Sequence, residues 1–225
     1  MVKNLLNLFF PKVCYACNDL LVDKEIYVCT NCRHNLPITN YHFNNDDTVK
    51  KVLYGRVKLE NATALLRFQK KGLVQHLLHG LKYKGYQEIG EFFGKWLGNE
   101  LKNIEAYKTI DLIIPVPLHK NKRKKRGFNQ VEKFGKEIAK ALDVPYIDTV
   151  LIKTTSTKTQ VFKKRIARWN ENNEVFSTKN LEVIANKHVL LVDDIITTGA
   201  TVEVCAMELL KSNNVKLSLA TMAIA

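Results

Sequence analysis

The sequence predicts an α/β protein in which helices flank a parallel, twisted β-sheet and a small cysteine-rich module precedes it. Short apolar runs alternate along the chain with segments whose apolar residues recur at helical spacing. That alternation is typical of a parallel sheet covered on both faces. Four cysteines within the first 38 residues, followed by a polar stretch, set the amino-terminal part apart from the rest.

The individual elements can be assigned from these patterns. The runs assigned to strands are Ile110 to Pro115, Tyr146 to Lys153, His188 to Val192 and part of Lys216 to Ala225. The segments assigned to helices carry one-sided apolar stripes, namely Leu73 to Leu81, Ile89 to Leu101, about Gln130 to Leu142, and Val202 to Lys211. Asn129 followed by Glu132 resembles a capping box at the third of these helices. Because parallel strands end at one edge of the sheet, we expect ligands at that edge.

The composition is that of an ordinary globular protein with a basic excess. Of 225 residues, 46% are hydrophobic and 25% are charged, and the formal net charge is +13. Six of the positive charges lie between His119 and Arg126. A basic balance favours phosphate-bearing ligands or nucleic acid, although charge alone is better explained by a solvated, lysine-rich surface.

We expect a cytoplasmic location, with the inner face of the membrane as a peripheral alternative. No apolar stretch reaches the roughly 20 residues that span a bilayer. The start, MVKNLLNLFFP, is too short for a signal peptide and no cleavage site follows it. Cytoplasmic thiols stay reduced, which favours metal binding over disulfides.

The segment from Val189 to Thr201 combines an apolar strand, an Asp193–Asp194 pair and a Thr/Gly turn that leads into a helix. Adjacent carboxylates disfavour each other's ionisation, so the pair is explained best if it binds something polar, such as the vicinal hydroxyls of a ribose. The turn offers hydroxyls, backbone N–H groups and a helix end to a phosphate. The candidate phosphate-binding residues are Thr197, Thr198, Gly199, Ala200 and Thr201. An ordinary strand–turn–helix with polar surface residues is the alternative, and no Walker A motif is present.

A second candidate loop follows Ile114 and contains the basic run. Cationic side chains and helix amino-terminal amides are what a departing pyrophosphate requires. A basic surface loop or a nucleic-acid patch explains the lysines alone about as well. The candidate pyrophosphate residues are Val116, Pro117, Leu118, His119, Arg126, Gly127, Asn129 and Gln130.

The cysteines occur as two Cys-x-x-Cys pairs with eleven residues between them. Each pair can supply two thiolates to one ion, and two pairs complete a tetrahedral shell. We therefore predict a structural zinc ion bound by Cys14, Cys17, Cys29 and Cys32. Disulfides and a redox pair are the alternatives. His34 is close enough to replace one ligand, and Cys205 is interpreted as a small core residue.

Two family resemblances follow from these motifs. The segment VLLVDDIITTGAT resembles the phosphoribosyl pyrophosphate (PRPP) signature of type I phosphoribosyltransferases. Together with PVPLH, RGFNQ and the KYKG beginning at Lys82, it also resembles the ComF competence-protein family almost from end to end. These resemblances imply a type I phosphoribosyltransferase-like sheet, an amino-terminal zinc finger and Mg²⁺ bound with PRPP. They divide the chain into a zinc finger (1–38), a linker and hood (39–60) and a phosphoribosyltransferase domain (61–225).

The resemblances imply two functions of different classes. One is a PRPP-binding protein of DNA uptake and natural transformation, which handles single-stranded DNA with a helicase partner. The other is an active phosphoribosyltransferase of nucleotide metabolism that transfers the pentosyl group to a base or amine and releases pyrophosphate. In either case Asp193 and Asp194 would hold the ribose hydroxyls, and they would be the catalytic residues if turnover occurs. Four cations could close over the site: Lys163, Lys164, Arg165 and Arg168.

Overall fold

The computed structural model describes residues 11–155 and 174–225. Its centre is a parallel sheet of four strands in the spatial order β1-β6-β5-β2, and β3 and β4 pair with each other as an antiparallel ribbon. The strands are β1 (Ala62–Arg67), β2 (Leu112–Pro115), β3 (Leu151–Thr155), β4 (Glu174–Thr178), β5 (His188–Ile196) and β6 (Lys216–Ile224). The predicted fold class is therefore confirmed.

Helices cover both faces of this sheet. They are α1 (Thr30–His34), α2 (Tyr41–Asn44), α3 (Thr48–Lys51), α4 (Leu73–Tyr83), α5 (Glu88–Leu101), α6 (Glu105–Lys108), α7 (Lys120–Arg126), α8 (Glu132–Leu142) and α9 (Ala200–Leu209), with a 3₁₀ turn at Leu181–Ile184. One apolar cluster joins α4, α5 and α8 to one sheet face, and a second joins α9 and the β3–β4 ribbon to the other. Burial on both faces explains why the strands of this sheet are apolar throughout rather than alternating.

The predicted helical stripes are buried as expected. In α4 the buried apolar side chains are Val74, Leu77, Leu78 and Leu81, and in α5 they are Ile89, Phe93, Leu97 and Leu101. Helices α5 and α8 approach closely at Gly94, where an added Cβ would lie 2.6 Å from the Phe134 carbonyl oxygen. Only a residue without a Cβ allows that separation of the two backbones.

The structure differs from the prediction between Thr39 and Lys51, where we expected a polar linker. The segment contains α2 and α3, and it buries Tyr41 and Val49. Its buried histidine finds partners on neighbouring elements: Nε2 of His42 lies 2.9 Å from a carboxylate oxygen of Glu100 in α5. A buried polar side chain with a hydrogen-bond partner looks like an exposed one in the sequence, so the burial of this segment could not be predicted from apolar residues. The division into residues 1–38, 39–60 and 61–225 remains a prediction.

Other differences concern the limits of single elements. Strand β1 was not predicted, and β5 continues four residues past Val192 to Ile196. The strand expected at Tyr146 begins at Leu151, and Tyr146 forms only an isolated parallel bridge with Ile113.

Two predictions near the basic run are wrong in their local structure. The run itself forms the helix α7 rather than a loop, and the Nδ1 atom of His119 accepts the N–H of Asn121, the second residue of the helix, at 3.2 Å. The predicted capping box is absent: the Oδ1 atom of Asn129 accepts the Val131 N–H at 3.4 Å, before the helix begins at Glu132, and its amide donates to the Val116 carbonyl at 3.1 Å. Asn129 thus joins the end of β2 to the start of α8.

Candidate functional site

The loops after β2 and β5 lie side by side at the carboxyl edge of the sheet. The two strands pair in parallel up to Pro115 and Val192, and the Val116 N–H donates to the Val192 carbonyl at 2.9 Å. The loop expected to bind pyrophosphate therefore begins beside the strand that carries the aspartate pair. This is the edge at which open parallel sheets bind their ligands.

Asp193 and Asp194 lie within β5 rather than after it, and both are buried. Because successive side chains of a strand point to opposite faces, the two carboxylates lie on opposite sides of the sheet. An Asp193 carboxylate oxygen accepts the Asp194 backbone N–H at 2.8 Å. Burial, and next the negative charge of Asp194, raise the pKa of Asp193 well above its ordinary value. The two residues therefore have different surroundings and different charge properties.

Both carboxylate oxygens of Asp194 have protein donors. Nζ of Lys82 lies 3.0 Å from Oδ1, and the side-chain amide of Gln130 donates to Oδ2 at 2.9 Å. The other end of that amide accepts from Arg126 at 3.2 Å, so Gln130 connects the predicted pyrophosphate loop to the predicted ribose carboxylate. Arg126 in turn lies over the ring of Tyr83, with 5.3 Å from its guanidinium carbon to the ring centroid.

The turn after β5 exposes Thr197, Thr198, Ala200 and Thr201 to solvent and buries Gly199. Gly199 has φ +77°, and a Cβ there would lie 2.7 Å from a methyl carbon of Leu53. Both the conformation and the space thus favour glycine.

Helix α9 begins directly after this turn. It has no side-chain cap at its start, so its first backbone N–H groups need a partner from outside the helix. An anion is the partner that such a helix end favours.

Arg56 supports the turn from outside and was not singled out from the sequence. Its guanidinium donates to the Thr198 carbonyl at 2.9 Å, to the Val52 carbonyl, and to the Glu203 carboxylate at 2.5 Å. Lys82 was not predicted as a site residue either, although it begins the KYKG motif that resembles the ComF family. Its place in that motif was the one signal that could have pointed to the site.

The remaining pyrophosphate candidates lie around this edge. Val116 and His119 are buried, Pro117 and Leu118 are half-buried, and Gly127 ends α7 with φ +82°. Helix α7 buries none of its residues, so its cations face solvent beside the loop. The four predicted loop cations, Lys163, Lys164, Arg165 and Arg168, lie outside the described residues.

The four predicted zinc ligands come together. The Sγ atoms of Cys14, Cys17, Cys29 and Cys32 all lie within 4.8 Å of one another. Zinc–sulfur bonds of about 2.3 Å in a tetrahedron place sulfurs about 3.8 Å apart, and Cys17 and Cys29 lie at 3.8 Å. His34 is not part of this cluster within the described residues. The donor set fits a structural zinc ion.

Backbone groups of the cysteine module donate hydrogen bonds to the Cys14 sulfur. The N–H groups of Ala16 and Cys29 donate to the Cys14 sulfur at 3.4 and 3.3 Å. Burial raises the pKa of Cys14, but backbone hydrogen bonds outweigh it and lower the pKa to about 7. A thiolate is the form of cysteine that binds metal.

This module packs directly on the α/β domain. The Tyr15 ring stacks on Tyr86 with centroids 4.1 Å apart, and the Arg33 guanidinium lies 5.3 Å from the Trp96 ring centroid. Cys14, Cys29 and Cys32 belong to the same apolar cluster as helices α4, α5 and α8. The candidate metal ligands and the contacts between module and domain therefore share one core.

Comparison with known proteins identifies the class of the fold. Residues 132–225 match the phosphoribosyl transferase domain family. A solved structure of glutamine PRPP amidotransferase from B. subtilis, in complex with ADP and GMP, aligns at 20% identity and a TM-score of 0.39, over 58% of this chain and 26% of that chain. The domain match and the sheet topology together define a phosphoribosyltransferase fold.

Sequence relatives narrow the family. DNA utilization protein YhgH of Escherichia coli O157:H7 is 30% identical over 141 residues, which cover 60% of each chain. Competence protein ComFC of Bacillus subtilis strain 168 is 26% identical over 204 residues, which cover 89% of this chain and 78% of that protein. These relatives support the resemblance of the chain to the ComF family. The chain aligns with about three fifths of the length of the DNA utilization protein, and no helix among the described residues is long and apolar enough to cross a bilayer.

Proposed function

We propose that this chain binds PRPP together with Mg²⁺ at the carboxyl edge of the sheet. The observation that carries the proposal is the order of groups along β5 and α9: a buried aspartate pair, an exposed threonine turn and an uncapped helix start. A ribose 5-phosphate has hydroxyl donors at one end and a phosphate dianion at the other. The groups of this edge occur in the matching order.

Each part of the proposed ligand has its own set of residues. Asp194, an acceptor when ionised, would take hydrogen bonds from the ribose hydroxyls, and Asp193 lies next to it. The hydroxyls of Thr197, Thr198 and Thr201 and the N–H groups of α9 would bind the 5′-phosphate. Mg²⁺, when bound, would neutralise charge between the pyrophosphate and the ribose hydroxyls.

The pyrophosphate would lie beside the start of the loop after β2. Arg126, at the end of α7, is linked to the aspartate pair through Gln130. Backbone N–H groups between Val116 and His119 would complete this half of the site. Arginine is suited to the task because its fork of donors matches phosphate oxygens.

The proposed site is compatible with pentosyl transfer. In that reaction the bond between C1 and the pyrophosphate oxygen breaks as a nucleophile bonds to C1, pyrophosphate leaves with its electron pair, and the acceptor's proton passes to solvent. The buried carboxylates would stabilise positive charge that develops on the ribose. Positioning and electrostatics would supply most of the acceleration, with little need for a general base.

Calorimetry with Mg·PRPP tests the binding proposal. We expect saturable binding by the wild type and at least about a tenfold loss of affinity in Asp194→Asn, since a charge-assisted acceptor contributes about 1.5–3 kcal/mol. The exposed Asp148→Asn variant is the matched control and should bind like the wild type. Absence of binding by the wild type would contradict the proposal.

We further propose that the chain acts in DNA uptake and natural transformation, with single-stranded DNA as a ligand. Its relative ComFC is named a competence protein, and α7 presents a run of cations to solvent at the rim of the proposed site. Exposed lysines and arginines that track a phosphate backbone are the usual basis of binding to single strands. A helicase of DNA uptake is the proposed partner. An active phosphoribosyltransferase without a role in DNA is the competing function.

A salt series with fluorescent single-stranded DNA separates these functions. Removing two phosphate contacts by Lys124→Ala/Lys125→Ala should reduce the slope of log affinity against log salt by about 1.4, at about 0.7 per contact. The pair Lys102→Ala/Lys108→Ala removes the same charge at the opposite edge of the sheet and should leave the slope unchanged. Equal slopes in all three proteins would remove α7 from the DNA proposal. Turnover of PRPP with a panel of bases and amines would favour the competing enzyme.

A further inference from the structure

The ammonium group of Lys82 forms an ion pair with Asp194, a carboxylate that we propose binds the ribose hydroxyls. The residue lies in the last turn of α4, and its Nζ is 3.0 Å from Oδ1 of Asp194. The Lys82 side chain is 23% exposed and that of Asp194 is 6% exposed. An ion pair so shielded from water is stronger than one on the surface.

The contact is specific to this lysine. Lys84, two residues later, turns away and lies over the Tyr86 ring at 5.9 Å. Tyr83, between them, is exposed and packs against Arg126. The end of α4 thus directs one cation to the aspartate pair and the next to the side that carries the cysteine module.

The ion pair does not use up the acceptor capacity of Asp194. An ionised carboxylate has about four lone-pair positions on its two oxygens. Lys82 takes one position on Oδ1 and Gln130 takes one on Oδ2. About two positions therefore stay open for the hydroxyls of a ribose.

We propose that Lys82 is a positioning residue, which holds the Asp194 carboxylate in the orientation that accepts the ribose hydroxyls of a PRPP-like ligand. The inference rests on the proposed function of this edge. It adds to the site a residue that lies 112 positions before Asp194 in the sequence. A salt bridge that only stabilises the fold is the alternative.

The charges around the pair make the role of Lys82 sensitive to pH. Asp193 precedes Asp194 in β5 and its carboxylate points to the opposite face of the sheet, Lys82 contacts Asp194 from α4, and Arg126 donates to the neutral amide of Gln130. The positive charges of Lys82 and of Lys153, in β3, lower the pKa of Asp193, although burial and Asp194 raise it more. Without Lys82 the pair should retain a proton to higher pH, and a protonated carboxyl is a poorer acceptor for hydroxyls.

The test compares three variants of the full chain by calorimetry with Mg·PRPP and with ribose 5-phosphate. Lys82→Met should weaken both ligands by about tenfold or more, with a loss that is greatest near and just above pH 8, where the variant still holds a proton that the wild type releases. Lys82→Arg should restore most of the affinity. Lys84→Met, the matched control, should leave affinity and its pH profile unchanged. Thermal unfolding of each variant identifies any that fails to fold.

The outcomes separate this inference from the proposed function. If the wild type binds PRPP and Lys82→Met binds equally well with the same pH profile, the inference is overturned and the proposed site stands. If the wild type binds neither ligand, the proposed function falls and the ligand role of Lys82 falls with it.

Carbon-13 titration of the Asp193 carboxyl gives a readout that needs no ligand. The titration should move to higher pH in Lys82→Met and not in Lys84→Met. No movement would show that Lys82 does not control the aspartate pair.

Discussion

At the scale of single residues, the main finding is that the two adjacent aspartates are not equivalent. Asp194 has a cation and an amide on its oxygens, whereas Asp193 is buried and accepts a backbone N–H. Their opposite directions along the strand produce this difference. The same dipeptide therefore offers one carboxylate ready to accept hydrogen bonds and one that resists ionisation.

This asymmetry predicts how the stability of the protein depends on pH. The pKa of Asp193 is higher in the folded than in the unfolded state, so its contribution is fully present below the unfolded value and is lost as pH rises through the folded value. Asp193→Asn removes the titration and preserves the acceptor oxygen. At pH 8 its free energy of unfolding should exceed that of the wild type. The difference should grow by up to about 1.4 kcal/mol per pH unit between the pKa of Asp193 in the unfolded state and its pKa in the folded state.

Urea unfolding from about pH 5 to pH 8 measures this difference. The exposed Asp148→Asn variant controls for loss of one negative charge and should show no such trend. A difference between Asp193→Asn and the wild type that stays constant with pH would refute the assignment.

At the scale of elements, the helices and strands that could be predicted are those whose own residues carry the apolar pattern. The stripes of α4 and α5 and the strand β5 were predicted because each contains its own apolar signature. Helices α2 and α3 were not, since each has only four residues, and the buried His42 of α2 finds its partners on β1 and α5. The contacts of Lys82 with Asp194 and of Arg56 with Thr198 were also missed, because they join residues 112 and 142 positions apart. The motifs at the sheet edge were predicted from sequence, but the side chains that hold them in place were not.

The close contact of α5 with α8 supplies a prediction at this scale. Alanine favours a helix over glycine by about 1 kcal/mol, yet Gly94→Ala should destabilise the protein by about 1–3 kcal/mol. Its Cβ would lie 2.6 Å from the Phe134 carbonyl oxygen, whereas that of Gly90→Ala would meet no atom closer than 3.4 Å. Gly90→Ala in the same helix should be neutral or stabilising. The denaturant midpoints of Gly94→Ala and Gly90→Ala test this prediction. Equal shifts in the two variants would contradict the close contact of α5 with α8 at Gly94.

At the scale of the whole molecule, the cysteine module and the sheet form one structure. Tyr15 stacks on Tyr86, and three of the four cysteines lie in the apolar cluster that also contains α4, α5 and α8. Because the four sulfurs repel one another as thiolates, an ion between them should stabilise the module and, through it, the surface of α4 and α5.

Removing the metal tests this connection. The purified chain should contain one zinc ion, and chelation should lower its melting temperature by several degrees, since a loss of 1 kcal/mol corresponds to roughly 2–4 °C at this size. Cys17→Ser should reproduce the effect. Cys205→Ala, which removes a buried thiol in α9 away from the cluster, should retain the zinc. An unchanged melting temperature of the metal-free chain would contradict the prediction that the metal stabilises the domain through the cysteine module.

The strand order has a consequence for how the chain acquires its structure. The two edge strands, β1 and β2, precede in the chain the two strands that lie between them, β6 and β5. During synthesis both edges emerge with no neighbour to pair with, until residues 188–224 have left the ribosome. Pairing over such long loops is slow, and unpaired apolar strands invite aggregation. We therefore expect the sheet to fold late, after β5 and β6 have been synthesised, so that chaperones should improve the yield of soluble protein.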